Sequence, residues 1–158
     1  MTGVFDRLLD RGPLGTVMKA ALDEAWRRGD RRLGTEHLLL GLLHDETQAR
    51  ILGVTLEQAR AALDALDRAA LAAVGIRTDH AYPGAVNPTS SRPPLSVGSL
   101  TSNARAVVSP GAGKRPRTTE AVLESLLDCA LPDPAAELLA ALGVDPVRVR
   151  RRSAHPES

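Results

Sequence analysis

Two short stretches of the chain place a hydroxyl and a carboxylate side by side where a helix is expected to begin. They are Thr35-Glu36 and Thr119-Glu120, and the two glutamates are 84 residues apart. A carboxylate can pair with a guanidinium group, while a helix N-terminus and a nearby hydroxyl can donate hydrogen bonds to a phosphate. A glutamate in a first turn can also serve only to complement the helix dipole. The residues therefore predict either two ligand-binding sites or two ordinary helix starts.

The two stretches belong to longer segments that resemble each other. The first reads GTEHLLLGLL and begins at Gly34, and the second reads TTEAVLESLL and begins at Thr118. Each is followed by a Leu-Gly-Val corner, with an arginine six residues beyond the valine of that corner. The two arginines are Arg60 and Arg150. Two motifs that recur in the same order indicate a duplicated structural unit.

Other residue types that could do chemistry lack the spacing for it. His37 and His44 are seven residues apart, whereas a helical metal site needs ligands at positions i and i+4. The only cysteine, Cys129, has no neighbouring histidine or basic residue that would activate it. The Gly-rich stretch 111–115 lacks the earlier glycine and the following Ser or Thr of a phosphate-binding loop. We therefore expect no catalytic residue, metal or cofactor, and an enzyme that uses His37 or Cys129 is only a third possibility.

The composition argues against several classes of partner. The 20 basic and 19 acidic residues nearly cancel, so the chain lacks the excess positive charge of a general nucleic-acid or membrane-surface binder. A single cysteine cannot form an internal disulfide, and no apolar segment is long enough to span a bilayer. We expect a cytoplasmic protein with neither a nucleic acid nor a membrane as partner.

A basic cluster near the C-terminal end leaves one alternative open. It consists of Arg148, Arg150, Arg151 and Arg152. Such a cluster could contact nucleic acid or an acidic protein, but arginines at the C-terminal end of a helix also interact favourably with the helix dipole. A helical DNA-binding regulator that uses this end of the chain is therefore the alternative function.

The elements that must position these residues are predicted to be helices. Apolar residues at three-and-four spacing predict a helix over 14–28, and Thr35 is expected to cap a second helix over 36–45. On that second helix Leu40 lies off the predicted core face. Thr55 and Gln58 form a capping-box pattern that opens a long amphipathic helix. In the second half, helices are expected after the cap Thr119 and at two prolines, Pro134 and Pro146. No strand pattern is present, so the predicted class is all-α.

The first of the two segments resembles the Clp repeat. The resemblance extends to Asp23-Glu24-Ala25 before it and to Leu52-Gly53-Val54 after it. Two such repeats make the all-helical N-terminal domain of ClpA- and ClpC-type AAA+ unfoldases. The resemblance implies one compact domain of two pseudo-twofold-related four-helix repeats, residues 5–76 and 100–152, joined by a Pro/Ser-rich linker over 77–99. The second repeat departs from the pattern, because Ala121 and Ser125 replace the histidine and the second glycine.

The resemblance also implies a function. In ClpC-type N-domains the glutamate of each Thr-Glu-His motif helps to recognise phosphoarginine, a mark on substrates that are sent for degradation. The residues at the matching positions, which we expect to bind ligand, are Thr35, Glu36, Thr119 and Glu120. The expected ligands are protein or peptide substrates and adaptors of the Clp system, and cyclic-peptide antibiotics. Because no ATPase module follows, we expect a stand-alone, non-catalytic module that acts as a decoy in the Clp system.

Overall fold

The computed structural model describes residues 12–76, 100–108 and 118–154 of the chain. Within these ranges the backbone forms eight α-helices, and the extended residues pair only in one isolated bridge, between Leu33 and Leu100. The helices are α1 (Gly12–Arg27), α2 (Thr35–Leu42), α3 (Glu46–Leu52), α4 (Leu56–Ala73), α5 (Ser102–Val108), α6 (Thr119–Leu127), α7 (Pro134–Ala141) and α8 (Pro146–Ala154). The predicted all-α class is confirmed for this part of the chain. The predicted linker over 77–99 lies outside the described residues.

Two predicted helix caps are wrong by one residue. Thr35 and Thr119 are the first helical residues of α2 and α6, and the N-caps are Gly34 and Thr118. The hydroxyl of Thr118 accepts a hydrogen bond from the backbone N–H of Ala121, at 3.1 Å. Thr119, the second threonine of the pair, does not cap the helix, and its side chain is buried.

The cap of α2 works differently, because Gly34 has no side chain. The backbone N–H of Gly34 donates instead to Nδ1 of His37, at 2.9 Å. The imidazole of His37 thus satisfies one of the backbone N–H donors at the start of the helix. At the equivalent place in α6 the capping hydroxyl of Thr118 satisfies a helix donor, and the smaller Ala121 takes the histidine's position.

The other caps follow the sequence. Thr55 and Gln58 form the predicted capping box at the start of α4, with reciprocal hydrogen bonds of 3.1 and 2.9 Å. Pro134 is the first residue of α7, and the carboxylate of Asp133 accepts from the N–H of Ala135 at 2.9 Å. These local patterns fix where the helices begin, because each satisfies backbone donors that the helix itself leaves unpaired.

The core is centred on α2. Every residue of this helix except Glu36 is buried, and α2 contacts α1, α4, α5, α6 and α7. Leu40, predicted to lie off the core face, is completely buried. Other helices surround α2 on all sides. The prediction for Leu40 assumed an amphipathic helix with one buried face, and α2 is not such a helix.

A glycine allows α1 and α2 to approach closely. A β-carbon on Gly41 would lie 2.5 Å from the carbonyl oxygen of Val17 and 3.1 Å from the β-carbon of Ala21. These distances are shorter than normal van der Waals contact, so only glycine fits there without movement of α1. The close packing sets the position of the loop between α1 and α2, which carries several residues of the site described below.

The two halves of the chain, α1–α4 and α5–α8, pack against each other through several helix pairs. Contacts between the halves join α2 with α5, α6 and α7, α1 with α6, α4 with α7, and α3 with α8. The N–H of Thr101 also donates to the carbonyl of Leu33, at 3.0 Å. None of the helices in the described ranges has the length and apolar character needed to cross a membrane.

Candidate functional site

Glu36 lies at a cleft formed by both halves of the chain. The cleft has a volume of about 200 Å³ and is lined by residues from the loop after α1, from α2 and α4, and from the start of α7. Its charged lining residues are Arg28, Asp30, Glu36, Asp67 and Glu137. Carboxylates therefore outnumber cations on its wall by four to one.

The carboxylate of Glu36 is only partly satisfied by the protein. Its side chain is 19% exposed, and atom Oε2 is buried without a hydrogen-bond partner in the described part of the chain. The absence of a side chain at Gly34 makes room for it, since a β-carbon there would lie 2.2 Å from Oε2. Glycine before the Thr-Glu pair thus permits the carboxylate to fold against the helix start, beside the cleft.

His37 positions the loop next to Glu36. Its Nδ1 accepts the N–H of Gly34, so the ring proton belongs on Nε2, which donates to Oδ2 of Asp30 at 2.8 Å. The distance from Nδ1 to Oε1 of Glu36 is 3.5 Å, but Nδ1 has no proton left to donate. The histidine is a buried structural residue that joins the α2 start to the preceding loop.

Arg28 joins the same loop to α4. Its guanidinium lies 3.2 Å from Asp30 and 2.6 Å from Asp64, and it also contacts Asp67. Burial raises the pKa of Asp30, but the hydrogen bond from His37 and the charge of Arg28 outweigh this effect and leave the pKa below its ordinary value. Asp30 is therefore ionised at neutral pH, and the cleft wall is negatively charged.

Thr35, predicted to contact ligand, is buried and its hydroxyl is used within the fold. The hydroxyl donates to Oδ1 of Asp133, at 2.7 Å, and accepts from the N–H of Ala135, at 3.2 Å. The other carboxylate oxygen of Asp133 accepts from the side-chain amide of Asn103, at 2.7 Å. Thr35 thus connects the start of α2 to the start of α7 and helps to build the wall of the cleft.

The second predicted pair lies elsewhere. Thr119 is buried at the start of α6, and Glu120 is exposed beside it. Neither residue lines the cleft that contains Glu36. The structure therefore does not bring the two predicted pairs together, and it gives Glu36 and Glu120 different surroundings.

Sequence reasoning missed four charged residues of the cleft. Arg28, Asp30, Asp67 and Glu137 come from a loop and two helices that are far apart in the chain. None of them belongs to the repeated motif, and no spacing in the sequence links them. The packing of α4 against α7 brings Asp67 and Glu137 together, and the loop between α1 and α2 adds Arg28 and Asp30.

A second cleft, of about 370 Å³, lies beside Cys129 and Ser125. Ser125 stands where α2 has Gly41, the residue at which α1 comes closest. Burial raises the pKa of the Cys129 thiol to about 11, with further contributions from Asp133 and Asp128. A thiol with this pKa is almost entirely protonated near neutral pH, which makes it a poor nucleophile.

The C-terminal arginines differ in their surroundings. Arg150 pairs with Glu124, at 3.1 Å, and with Asp128. The guanidinium of Arg152 lies against Gly53 at the end of α3, where a β-carbon would be 2.6 Å from it. By contrast, Arg148 is 80% exposed, with Asp145 at 3.9 Å. Arg150 and Arg152 thus contact other helices, whereas the contact of Arg148 is with the residue just before its own helix.

Among the described residues, no group of three or more His, Cys, Asp or Glu side chains has an arrangement that could hold a metal ion. The charged groups that line the Glu36 cleft can form ion pairs and hydrogen bonds. Comparisons with protein-family models and with curated proteins gave no match to this chain.

Proposed function

We propose that the chain is a non-catalytic module that binds proteins or peptides through the Glu36 cleft, in the manner of a Clp N-terminal domain. The ligand classes come from the resemblance: phosphoarginine-marked substrates, adaptors and cyclic peptides in the cytoplasm. The observation that carries the proposal is the position of Glu36. This residue of the Thr-Glu-His motif lies at a cleft between the two halves, and one of its oxygens is buried without a hydrogen-bond partner among the described residues.

The helix contacts support the two-repeat arrangement that the proposal assumes. When α1–α4 are matched in order with α5–α8, the contact of α4 with α7 corresponds to that of α8 with α3. In the same way, the contact of α1 with α6 corresponds to the contact of α5 with α2. The contact of α2 with α6 is its own counterpart. A pseudo-twofold axis that passes between α2 and α6 would produce these pairs. The contact of α2 with α7 is not matched by one of similar extent between α6 and α3.

The DNA-binding alternative has less support from the described residues. Arg150 is paired with two acidic side chains of α6, and Arg152 lies at the C-terminal end of α3, where its charge complements the helix dipole. A mobility shift with duplex DNA at several salt concentrations tests it, because phosphate contacts give a steep decrease of affinity with salt.

The test of the proposal is the dependence of peptide binding on Glu36. The purified chain is titrated calorimetrically with end-blocked peptides that contain either arginine or phosphoarginine, and with a cyclic peptide. The same titrations are made on Glu36→Gln and on Glu120→Gln, the matched position in α6. Saturable binding of any ligand that is lost in Glu36→Gln and kept in Glu120→Gln supports the proposal. Absence of saturable binding by every ligand contradicts it.

A further inference from the structure

The charges on the wall of the Glu36 cleft indicate which ligand it accepts. Among the described residues, four carboxylates and one guanidinium line it, which gives a formal charge of −3 for this part of the wall. The volume of about 200 Å³ is below the roughly 300–1,000 Å³ of pockets for drug-sized ligands. The cleft therefore fits one side chain of a peptide rather than a larger group.

Arg28, the cation that the described residues contribute to this wall, is surrounded by carboxylates. Its side chain is 16% exposed, and each of its three nitrogens is directed to a carboxylate, those of Asp30, Asp64 and Asp67. These contacts use three of the five N–H donors of the guanidinium and place three carboxylates around its charge. Arg28 therefore holds α4 against the loop, and the neighbouring carboxylates offset its attraction for anions.

Two carboxylates of the wall are left without a cation in the described part of the chain. Glu137 is exposed on α7, and none of the ion pairs found there includes it. Glu36 receives no hydrogen bond at Oε2, and the nearby Nδ1 of His37 has no proton to give. A cationic ligand in the cleft would stabilise these two carboxylates through its charge.

We infer that this cleft binds the unmodified arginine side chain of a peptide in preference to phosphoarginine. The inference rests on the proposed function, because it assumes that the cleft is the peptide site. A guanidinium offers five N–H donors in a planar fork that matches carboxylates. A phosphoryl group on that guanidinium adds negative charge to a ligand that already faces a negative wall, and like charges placed together weaken binding.

The experiment compares four end-blocked tripeptides of the form Ala-X-Ala. X is arginine, phosphoarginine, citrulline or lysine. Citrulline keeps the size of arginine without its charge, lysine keeps the charge without the planar fork, and phosphoarginine adds a phosphoryl group with its negative charge. Titrations are made calorimetrically at about 50 mM and about 500 mM salt, since salt screens exposed charges. At low salt we expect the arginine peptide to bind on the order of tenfold more tightly than the phosphoarginine and citrulline peptides, with a smaller ratio at high salt.

A pair of variants locates the effect. Glu137→Gln removes a negative charge that is in no ion pair in the described part of the chain. We expect the variant to bind the arginine peptide roughly three- to tenfold more weakly than the wild type does. We also expect the ratio of the affinities for arginine and phosphoarginine to decrease. Glu46→Gln removes an equally exposed glutamate, at the start of α3, that does not line the cleft, and we expect unchanged affinities. Both positions are exposed, so both variants are expected to fold.

The possible outcomes separate this inference from the proposed function. If phosphoarginine or citrulline binds as tightly as arginine, the inference is wrong, while peptide binding at the cleft stands. If Glu46→Gln weakens binding as much as Glu137→Gln does, the charge of the cleft is not the cause and the inference is again wrong. If none of the four peptides binds, the proposed function fails and the inference fails with it.

Discussion

The guanidinium of Arg60 in α4 holds the buried carboxylate of Glu24 in α1. Its Nε lies 3.1 and 3.2 Å from the two carboxylate oxygens, and a terminal nitrogen lies 2.5 Å from Oε1. Glu24 is 2% exposed, and Nε2 of His44 reaches the same oxygen at 2.9 Å. The arginine after the Leu-Gly-Val corner, one of the repeated residues of the sequence, thus ties together two helices of the first half.

Arg60→Ala is expected to destabilise the protein by about 2–3 kcal/mol, because the charge of Glu24 would remain buried with His44 as its only close partner. Arg60→Lys should lose part of this energy, since an ammonium group cannot form the forked pair. The measurement is urea unfolding followed by circular dichroism. Arg68→Ala, at an exposed position of the same helix, is the control and should change stability by less than about 0.5 kcal/mol. Equal effects of the two alanine variants would contradict the assigned role of Arg60.

The ion pair of Glu24 and Arg60 also predicts how the stability of the protein depends on pH. Burial raises the pKa of Glu24, but the hydrogen bonds and charges of Arg60 and His44 outweigh it, so the pKa lies below its ordinary value of 4.5. A carboxylate with a lowered pKa contributes stability that is complete above its ordinary pKa and is lost as the pH falls through the folded-state value. The free energy of unfolding should therefore begin to decrease below about pH 4.5.

Glu24→Gln isolates this contribution. The variant should be less stable than the wild type at pH 7, and its stability should fall less steeply between pH 4.5 and pH 3, because one of the titrating groups is gone. Asp30 also has a lowered pKa and keeps some of the slope in both proteins. Urea unfolding at a series of pH values measures both slopes, and identical slopes would show that Glu24 is not responsible.

Gly41→Ala is expected to destabilise the protein through the packing of α1 on α2. The new β-carbon would lie 2.5 Å from the carbonyl oxygen of Val17, so α1 must move. Overpacking typically costs about 1–3 kcal/mol, which exceeds the gain of up to about 1 kcal/mol in helix propensity. Ser125→Ala, at the equivalent position of α6, adds no atom and should have a smaller effect. A Gly41→Ala protein as stable as the wild type in thermal unfolding would contradict this packing.

The sequence predicted the helices better than the cleft, for a physical reason. Helix starts such as Thr55 and Pro134 depend on neighbours within one turn, so their pattern is local. The burial of Leu40 was not predictable in this way, because it depends on helices that surround α2 on all sides. The wall of the cleft depends on side chains such as Asp67 and Glu137, which only the packing of α4 against α7 brings together.

Thr35→Val is expected to destabilise the contact between the two halves. The substitution keeps the shape of the side chain but removes the hydroxyl that donates to Asp133 and accepts from the N–H of Ala135. Ala135 and Asp133 keep their mutual hydrogen bond, but the buried carboxylate loses a donor that water cannot replace, and a loss of about 1–3 kcal/mol is expected.

Two further variants identify the hydroxyl as the cause. Thr35→Ser keeps the hydroxyl and removes only a methyl group, so it should cost about 0.8 kcal/mol. Thr119→Val makes the same change as Thr35→Val at the start of α6, where the threonine forms no such bridge between the halves in the described part of the chain. It should therefore have a smaller effect than Thr35→Val. Urea unfolding of the three variants gives the order, and a Thr35→Ser protein as unstable as Thr35→Val would show that the hydroxyl of Thr35 is not what joins the two halves.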